Sequence, residues 1–311
     1  MKKGKYLITG CAGFIGSNLV KNIYKNYDLI LVDDLSEGLL SNLPKILRKK
    51  LVKKKIQNLK SLKTKQLNGI FHLAAQSSVP LSLNNFYKSS KNNIESSLKV
   101  FELAKEFSAP IVYASSSAVY GNLSVGNDQK ENFLIQSPYA QDKLTVEHYA
   151  KMVFEIFNIS SVGLRLFNVY GPGQNSNSSY SAVIPIFINR ILNKLPVTIN
   201  GGYQTRDFVY VKDVVDVMTK SMKKIQKGKN FQVFNVGTGR SIKIDFLFKL
   251  IAKSIGLNPK IIRRKLEKFD PKKSSGTYKK ILQYLNLKKN NFTKLENGLI
   301  KTINFVKQSN E

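Results

Sequence analysis

The sequence predicts an α/β fold: a doubly wound parallel sheet followed by a smaller α/β C-terminal lobe. Three observations point to it. Apolar runs such as "DLILVDD" (28–34) and "GIFHLAA" (69–75) are continuous rather than alternating, the pattern of strands covered on both faces. Stretches of helical periodicity separate these runs. From residue 168 the chain turns Gly-, Asn- and Ser-rich, and the pieces beyond are shorter.

Taken in order, "KYLIT" (5–9) is the first strand, with a helix over 13–24 and the second strand at 28–34. A weak strand is expected near 54–59 and a stronger one at 69–75. A long helix covers 82–107, then "PIVYASSS" (110–117) is a strand, followed by a polar loop to about 136. A helix spans 138–157, and "ISSVGLRLF" (159–167) is the next strand. The polar stretch 168–180 reads as a long functional loop. Beyond it come a helix at 181–193, strands near 197–200 and 207–211, a helix at 213–224, a strand at 231–236, and helices near 243–255, 278–285 and 293–307. Residues 1–167 are assigned to the first lobe and 168–311 mainly to the second, with about 207–240 partly returning to the first.

Composition narrows the function. With 311 residues, 42% of them apolar, the chain can bury a sizeable core. No apolar run approaches the ~20 residues that cross a bilayer, so no membrane role is expected. The start "MKKGKYLITGCAGFIG" has an apolar stretch broken by Gly10 and Gly13, unlike an export signal, and a cytoplasmic location is expected. The single cysteine, Cys11, forbids an internal disulfide, and with only His72 and His148 as imidazoles no metal site is expected. The net charge of +30 is dispersed over lysine clusters without an aromatic-basic strip, so it points to an anionic small substrate rather than nucleic acid.

The stretch "TGCAGFIG" (9–16) follows a strand and opens a helix, the context a dinucleotide-binding loop requires. Gly10 allows the tight turn, Gly13 lets backbone approach a pyrophosphate, and Gly16 lets helix and strand pack closely. The amides near Phe14 and Ile15 open the helix and offer positive charge to phosphates. The second strand ends at Asp33, where an acid suits the adenosine ribose hydroxyls and repels the extra phosphate of NADP; the cofactor read from this is NAD. Asp34 is either a second ribose ligand or a turn residue. A Rossmann-type sheet is the fold this implies.

"SPYAQDK" places Tyr139 and Lys143 four apart at a helix start, on one face. A nearby ammonium is expected to lower the phenol from ~10 toward neutrality, so that Tyr139 serves as general base on a sugar hydroxyl. "YASSSAVYG" (113–121) ends a strand of the same sheet.

With "VDDLSEG", "FHLAAQSSV", "LRLFNVYGPGQ", "RDFVYVKDV" and "FNVGTG", these motifs cover essentially the whole chain in order. The chain resembles the extended short-chain dehydrogenase/reductases, specifically the NAD-dependent nucleotide-sugar epimerase/dehydratase family. The resemblance implies that Ser116 assists catalysis, that Tyr139 is the base, and that Lys143 tunes it and holds the nicotinamide ribose. It extends the cofactor set to Asn58, Leu73, Ala74, Ala75 and Asn93. It gives the UDP-sugar Ser117, Asn168 and Arg206, with Ala182, Val183 and Ile199 at the uracil and Arg264 as a second phosphate clamp. It also implies a homodimer through the helices at 82–107 and 138–157.

Family dehydratases carry an Asp-Glu pair after the catalytic hydroxyl, where this chain has Ser117 and Ala118, which supply no such acid. The form "SSSAVYG" is similar to the 4-epimerases of UDP-sugars, acting through a 4-keto sugar. A different enzyme of the same scaffold (dehydratase, decarboxylase or reductase) and a non-catalytic NAD-binding protein are the alternatives. Gln57-Asn58 stands where the family has an acid for the adenine, and "SSGT" (274–277) departs from a family motif. Pro271 falls where related enzymes carry a bulky aromatic, which with "SSVPLS" and "SAVIP" points to UDP-N-acetylglucosamine, and also to its uronic acid form, as substrate.

Overall fold

The computed structural model describes residues 4–175 and 182–310. Strand β1 (Lys5–Thr9) leads into helix α1 (Phe14–Ile23), then β2 (Asp28–Asp33), a short β3 (Leu51–Lys53) and β4 (Gly69–His72). Helices α2 (Val79–Asn84) and α3 (Phe86–Phe107), strand β5 (Ile111–Ser116), helix α4 (Pro138–Phe157) and strand β6 (Ser161–Leu166) follow. Next come β7 (Asn168–Tyr170), α5 (Val183–Leu192), β8 (Val197–Asn200), β9 (Thr205–Tyr210), α6 (Val211–Ile225), β10 (Phe231–Val236) and β11 (Ser241–Lys243). The chain ends in α7 (Ile244–Ile255), β12 (Ile261–Arg264), β13 (Lys273–Ser274), α8 (Lys279–Leu285) and α9 (Leu295–Asn310). The end of the expected loop and the expected helix start, at 176–181, lie outside the described residues.

A seven-stranded sheet runs in the order β10-β6-β5-β4-β1-β2-β3. Its ladders from β3 across to β5 are parallel, with Thr9 beside both Val32 and His72. The chain steps outward from β1 to β3 and then restarts at β4 on the other side. The carboxyl ends of β1 and β4 therefore flank a topological switch point, where ligands of open α/β sheets bind. Leu7, Ile70, Ile111 and Tyr113 of the sheet pack against Val100, Phe101 and Ala104 of α3 and Val146, Ala150 and Val153 of α4. Each Leu, Ile, Val or Phe side chain buried among them contributes roughly 1.5–3 kcal/mol.

Two expectations need correction. The weak strand near 54–59 lies instead at 51–53, paired with Leu31, Val32 and Asp33, and 56–58 is a short 3-10 turn. It is a sheet edge, and lysines there keep it short and block further pairing. The helix expected over 82–107 is two helices. Asn85 leaves helical geometry, and its side chain caps α3 by accepting from the Lys88 N–H at 3.2 Å. By contrast α4 starts and stops as its sequence suggests: Ser137 caps it, Pro138 opens it, and Asn158 ends it in the left-handed region.

The described chain divides into two compact units. One takes the chain up to Val119, then Ser137–Arg165 and Val215–Phe234; the other takes Tyr120–Gln136, Leu166–Val214 and everything from Asn235. In the second unit β11, β9 and β13 form a sheet with β7 joined to β9, and β8 pairs with β12. Its core gathers Ile188, Ile191, Val197, Leu247, Ile251 and Leu299. Among the described residues no helix is long and apolar enough to cross a membrane, and no cluster of His, Cys, Asp or Glu could hold a metal ion.

Candidate active site

The glycine loop is held by contacts that exclude side chains. Gly10 has φ +67°, and a Cβ there would stand 2.7 Å from the Ala74 nitrogen. A Cβ on Gly16 would lie 2.0 Å from the Gly10 carbonyl oxygen. A Cβ on Gly13 would stand 3.3 Å from the Gly10 carbonyl oxygen, a tight contact but far milder than at Gly10 or Gly16. Gly13 caps α1 without a side-chain bond, and the first amides of the helix, at Phe14, Ile15 and Gly16, lack intrahelical acceptors. Buried Asp33 closes the loop: it accepts from the Ala12 and Leu35 N–H groups, each at 2.8 Å. Burial pushes its acid up, and those N–H groups hold it back. Asp34 accepts from the Ser36 N–H at 3.0 Å and from its hydroxyl, and so serves its own turn. A tight glycine turn, free helix amides and a terminal carboxylate fit a dinucleotide.

The facing edge is the segment after β4. The Thr9 hydroxyl oxygen accepts from the Leu73 and Ala74 N–H groups at 3.2 and 3.3 Å, so its own proton goes to His72 Nδ1 at 2.8 Å. His72 Nε2 then donates to Ser97 at 3.1 Å, and Ser97 donates to the Asn93 carbonyl at 2.7 Å. Burial drives His72 down to about 3, so it is neutral in this chain. Leu73, Ala74 and Ala75 thus lie beside the glycine loop. Asn93 is buried on α3, and its side chain binds the Gln76 backbone on both sides and donates to Asp142 at 3.0 Å. Asn58 is exposed at the end of its 3-10 turn.

Ser116, Tyr139 and Lys143 are brought together. The Ser116 hydroxyl lies on the phenol side of Tyr139 and favours its ionised form, and it accepts from the Ala118 N–H at 3.1 Å. Lys143 stands 5.7 Å from the centre of the Tyr139 ring and donates to the Ala114 carbonyl at 2.8 Å. Ser117 begins the short 3-10 turn after β5. The expected lowering of the phenol is not met by the chain alone. Burial pushes Tyr139 up, Asp142 adds to this, and only Ser116 opposes it. Lys143 itself is brought down to about 8 by burial, against the pull of Asp142 and Glu147.

Sequence reasoning missed the buried pair behind these groups. Arg165 on β6 grips Glu147 of α4 through Nε at 2.9 Å and Nη2 at 2.6 Å. The Ser115 hydroxyl donates to the same carboxylate, which ties the end of β5 to α4. Two signals were present: Glu147 lies four residues beyond Lys143, and Arg165 interrupts the apolar run "GLRLF".

In the second unit the expected nucleotide residues are differently placed. Arg206 is 8% exposed, donates to the Thr205 carbonyl at 2.8 Å and is paired with Asp270. Asn168 donates to the Asp207 carbonyl at 3.1 Å. Ala182 caps α5 and is exposed, and Val183 is half-buried at its start. Arg264 is exposed on β12, whereas its neighbour Arg263 pairs with Asp245. Ile199 departs from expectation: it is 1% exposed and packs in the core of its unit, because β8 turns that side chain inward.

Residues 6–237 match the profile of the NAD dependent epimerase/dehydratase family. A putative UDP-glucose 4-epimerase of Methanocaldococcus jannaschii is 33% identical, over 98% of this chain and 99% of its own length. A solved UDP-N-acetylglucosamine 4-epimerase from Methanobrevibacter ruminantium, in complex with UDP-N-acetylmuramic acid, superposes with TM-score 0.92 at 34% identity, covering 99% of this chain and all of its own. The UDP-glucose 4-epimerase of Thermotoga maritima with UDP-glucose gives TM-score 0.89 at 31% identity, over 99% of this chain and 100% of its own.

Proposed function

From the premise that this chain belongs to the NAD dependent epimerase/dehydratase family, we propose that it is an NAD-dependent 4-epimerase of a UDP-sugar, working through a transient 4-keto sugar. The observation that carries this reading is the Lys143 ammonium 5.7 Å from the centre of the Tyr139 ring, with Ser116 favouring the ionised phenol. The names of the relatives support the sugar class, and Ser117-Ala118 after the catalytic hydroxyl supports epimerisation over dehydration.

NAD would be held by Gly10, Gly13 and Gly16, the amides of Phe14 and Ile15, Asp33, Asn58 at the adenine, and the segment Leu73 to Ala75, with Asn93 fixing that segment. When bound, it supplies a hydride acceptor and donor for the sugar C4 and the positive charge of its ring beside the phenol. Tyr139 takes the proton of the 4-hydroxyl and later returns it, while Ser116 bonds the same oxygen. Lys143 offsets the phenolate charge and keeps the carbonyl end of β5 in place. Asn168 and Arg206 bind the diphosphate, Ala182 and Val183 meet the uracil, and Ile199 contributes there through its backbone. Arg264, exposed and with an ordinary guanidinium fork, is the second phosphate clamp.

UDP-N-acetylglucosamine, and its uronic acid form, are the proposed substrates, because Pro271 leaves room where related enzymes carry a bulky aromatic. The enzyme is proposed to act in the cytoplasm as a homodimer through α3 and α4. Exposed Phe86 and Tyr87 on α3 and Ile156 and Phe157 on α4 support the dimer. A panel of UDP-sugars, incubated without added cofactor, tests the reading. Conversion of the N-acetylated sugar is expected; conversion of UDP-glucose alone overturns the substrate, and loss of water from the product overturns the reaction.

A further inference from the structure

Three side chains spaced four apart on α4 meet three consecutive residues of β5. Tyr139 faces Ser116, Lys143 donates to the Ala114 carbonyl at 2.8 Å, and Glu147 accepts from the Ser115 hydroxyl. Residues i, i+4 and i+8 share a helix face, so these are the rungs of one seam. Only the third rung is fixed from a further strand. Arg165 of β6 holds the Glu147 carboxylate with two nearly parallel bonds, 2.9 and 2.6 Å, and both side chains are buried. A bidentate guanidinium sets direction as well as distance.

We infer that Glu147 is a positioning residue for the reaction: anchored by Arg165, it sets the register of α4 on β5 and presents a fixed negative charge to Lys143 one turn away. The inference rests on the proposed function only for its kinetic readout. The chemistry is simple. A buried ammonium is costly, and burial already brings Lys143 down to about 8. The ionisable groups that face it are Asp142 and Glu147 of α4, both favouring the ammonium, Tyr139 of α4, whose phenol burial pushes up, and His72 of β4, which is neutral. Asp142 is held by Asn93, Glu147 by Arg165. Tyr113 of β5 also faces the pair, and burial keeps its phenol well above the ordinary range, uncharged. Arg165 therefore has a second effect: it fixes the Glu147 carboxylate in a place from which its charge favours the proton on Lys143. With Glu147 neutral, Lys143 would lose its proton at lower pH, and the phenolate would lose its stabilising neighbour.

Two variants test this. Glu147→Gln keeps a hydrogen-bonding side chain of the same size but removes the charge. It strands the Arg165 cation, which threatens folding, so the paired change Glu147→Met with Arg165→Met is made beside it. Apolar replacement of a buried ion pair is often neutral for stability. Two readouts are taken on folded protein with NAD: the pH dependence of kcat, and the ionisation of Lys143 by NMR of isotope-labelled lysine, assigned with Lys143→Met. In the unchanged protein the alkaline limb of kcat is expected near the Lys143 ionisation. Glu147→Gln is expected to move both downward by about one pH unit and to cut kcat at neutral pH about tenfold. The paired change moves both the same way by less. A folded variant with both readouts unchanged overturns the inference. If the unchanged protein converts no UDP-sugar, the proposed function fails, while the Lys143 titration still decides the role of Glu147.

Discussion

The two units differ in how their charged and polar side chains are held without ligand. In the first, the groups that would act are held in place by one another: Lys143 lies over the Tyr139 ring and bonds Ala114, and Asp33 bonds the glycine loop. In the second, of the two cations proposed for the diphosphate, Arg206 is engaged with the unit's own Asp270 and Arg264 stands exposed. On the proposed function, the first unit is preorganised for chemistry, and the second exchanges the Asp270 partner of Arg206 for the ligand. Preorganised groups show their effect in kcat, and exchanged ones in KM.

The comparison can be broken most forcefully at Tyr139. Tyr139→Phe keeps the ring in its packing but removes the proton-transferring oxygen, and kcat is expected to fall about a thousandfold with NAD retention unchanged. Retained turnover would show that the preorganised phenol is not the base. Arg206→Ala is expected to raise KM for the UDP-sugar roughly tenfold to a hundredfold, with kcat nearly constant, since a charge-assisted bond contributes ~1.5–3 kcal/mol. A matching loss in kcat would erase the distinction between the units.

A third test concerns stability. His72 is kept neutral by burial, at about 3 rather than its ordinary 6.5. Between those values the unfolded chain binds a proton that the folded chain refuses, so stability falls as pH drops through that window. His72→Asn is expected to flatten this part of the thermal melting curve against pH. The smallest effect is at Asp270. Asp270→Asn frees Arg206 without touching the first unit, and KM is expected to fall about threefold, because an ion pair with one partner 36% exposed contributes little. A rise in KM would mean that Asp270 itself serves the ligand.

Much of the first unit was legible because its constraints are local. Gly10 and Gly16 are the residues that a tight turn and a close helix contact demand. The signals around α4 are caps within one turn, and the Tyr139–Lys143 spacing is a property of the helix itself. What stayed hidden depends on distant partners. β7, β11 and β13 are two or three residues long, and each exists through pairing with β9. β12 is exposed along its length and so carries no burial pattern. The split at Asn85 turns on one cap, and the pairing of Arg206 with Asp270 spans 64 residues with no signal between them. Burial also reversed the expected direction for the Tyr139 phenol, since the low dielectric around it outweighs its neighbours.

The most direct measurement uses UDP-N-acetylglucosamine carrying deuterium at C4 of the sugar, turned over in ordinary water with no cofactor added. A phenol that moves only the hydroxyl proton, beside a retained NAD, predicts the 4-epimer with deuterium still on C4. Product that has exchanged that deuterium with water, or a sugar that has lost its 6-hydroxyl, would contradict the account.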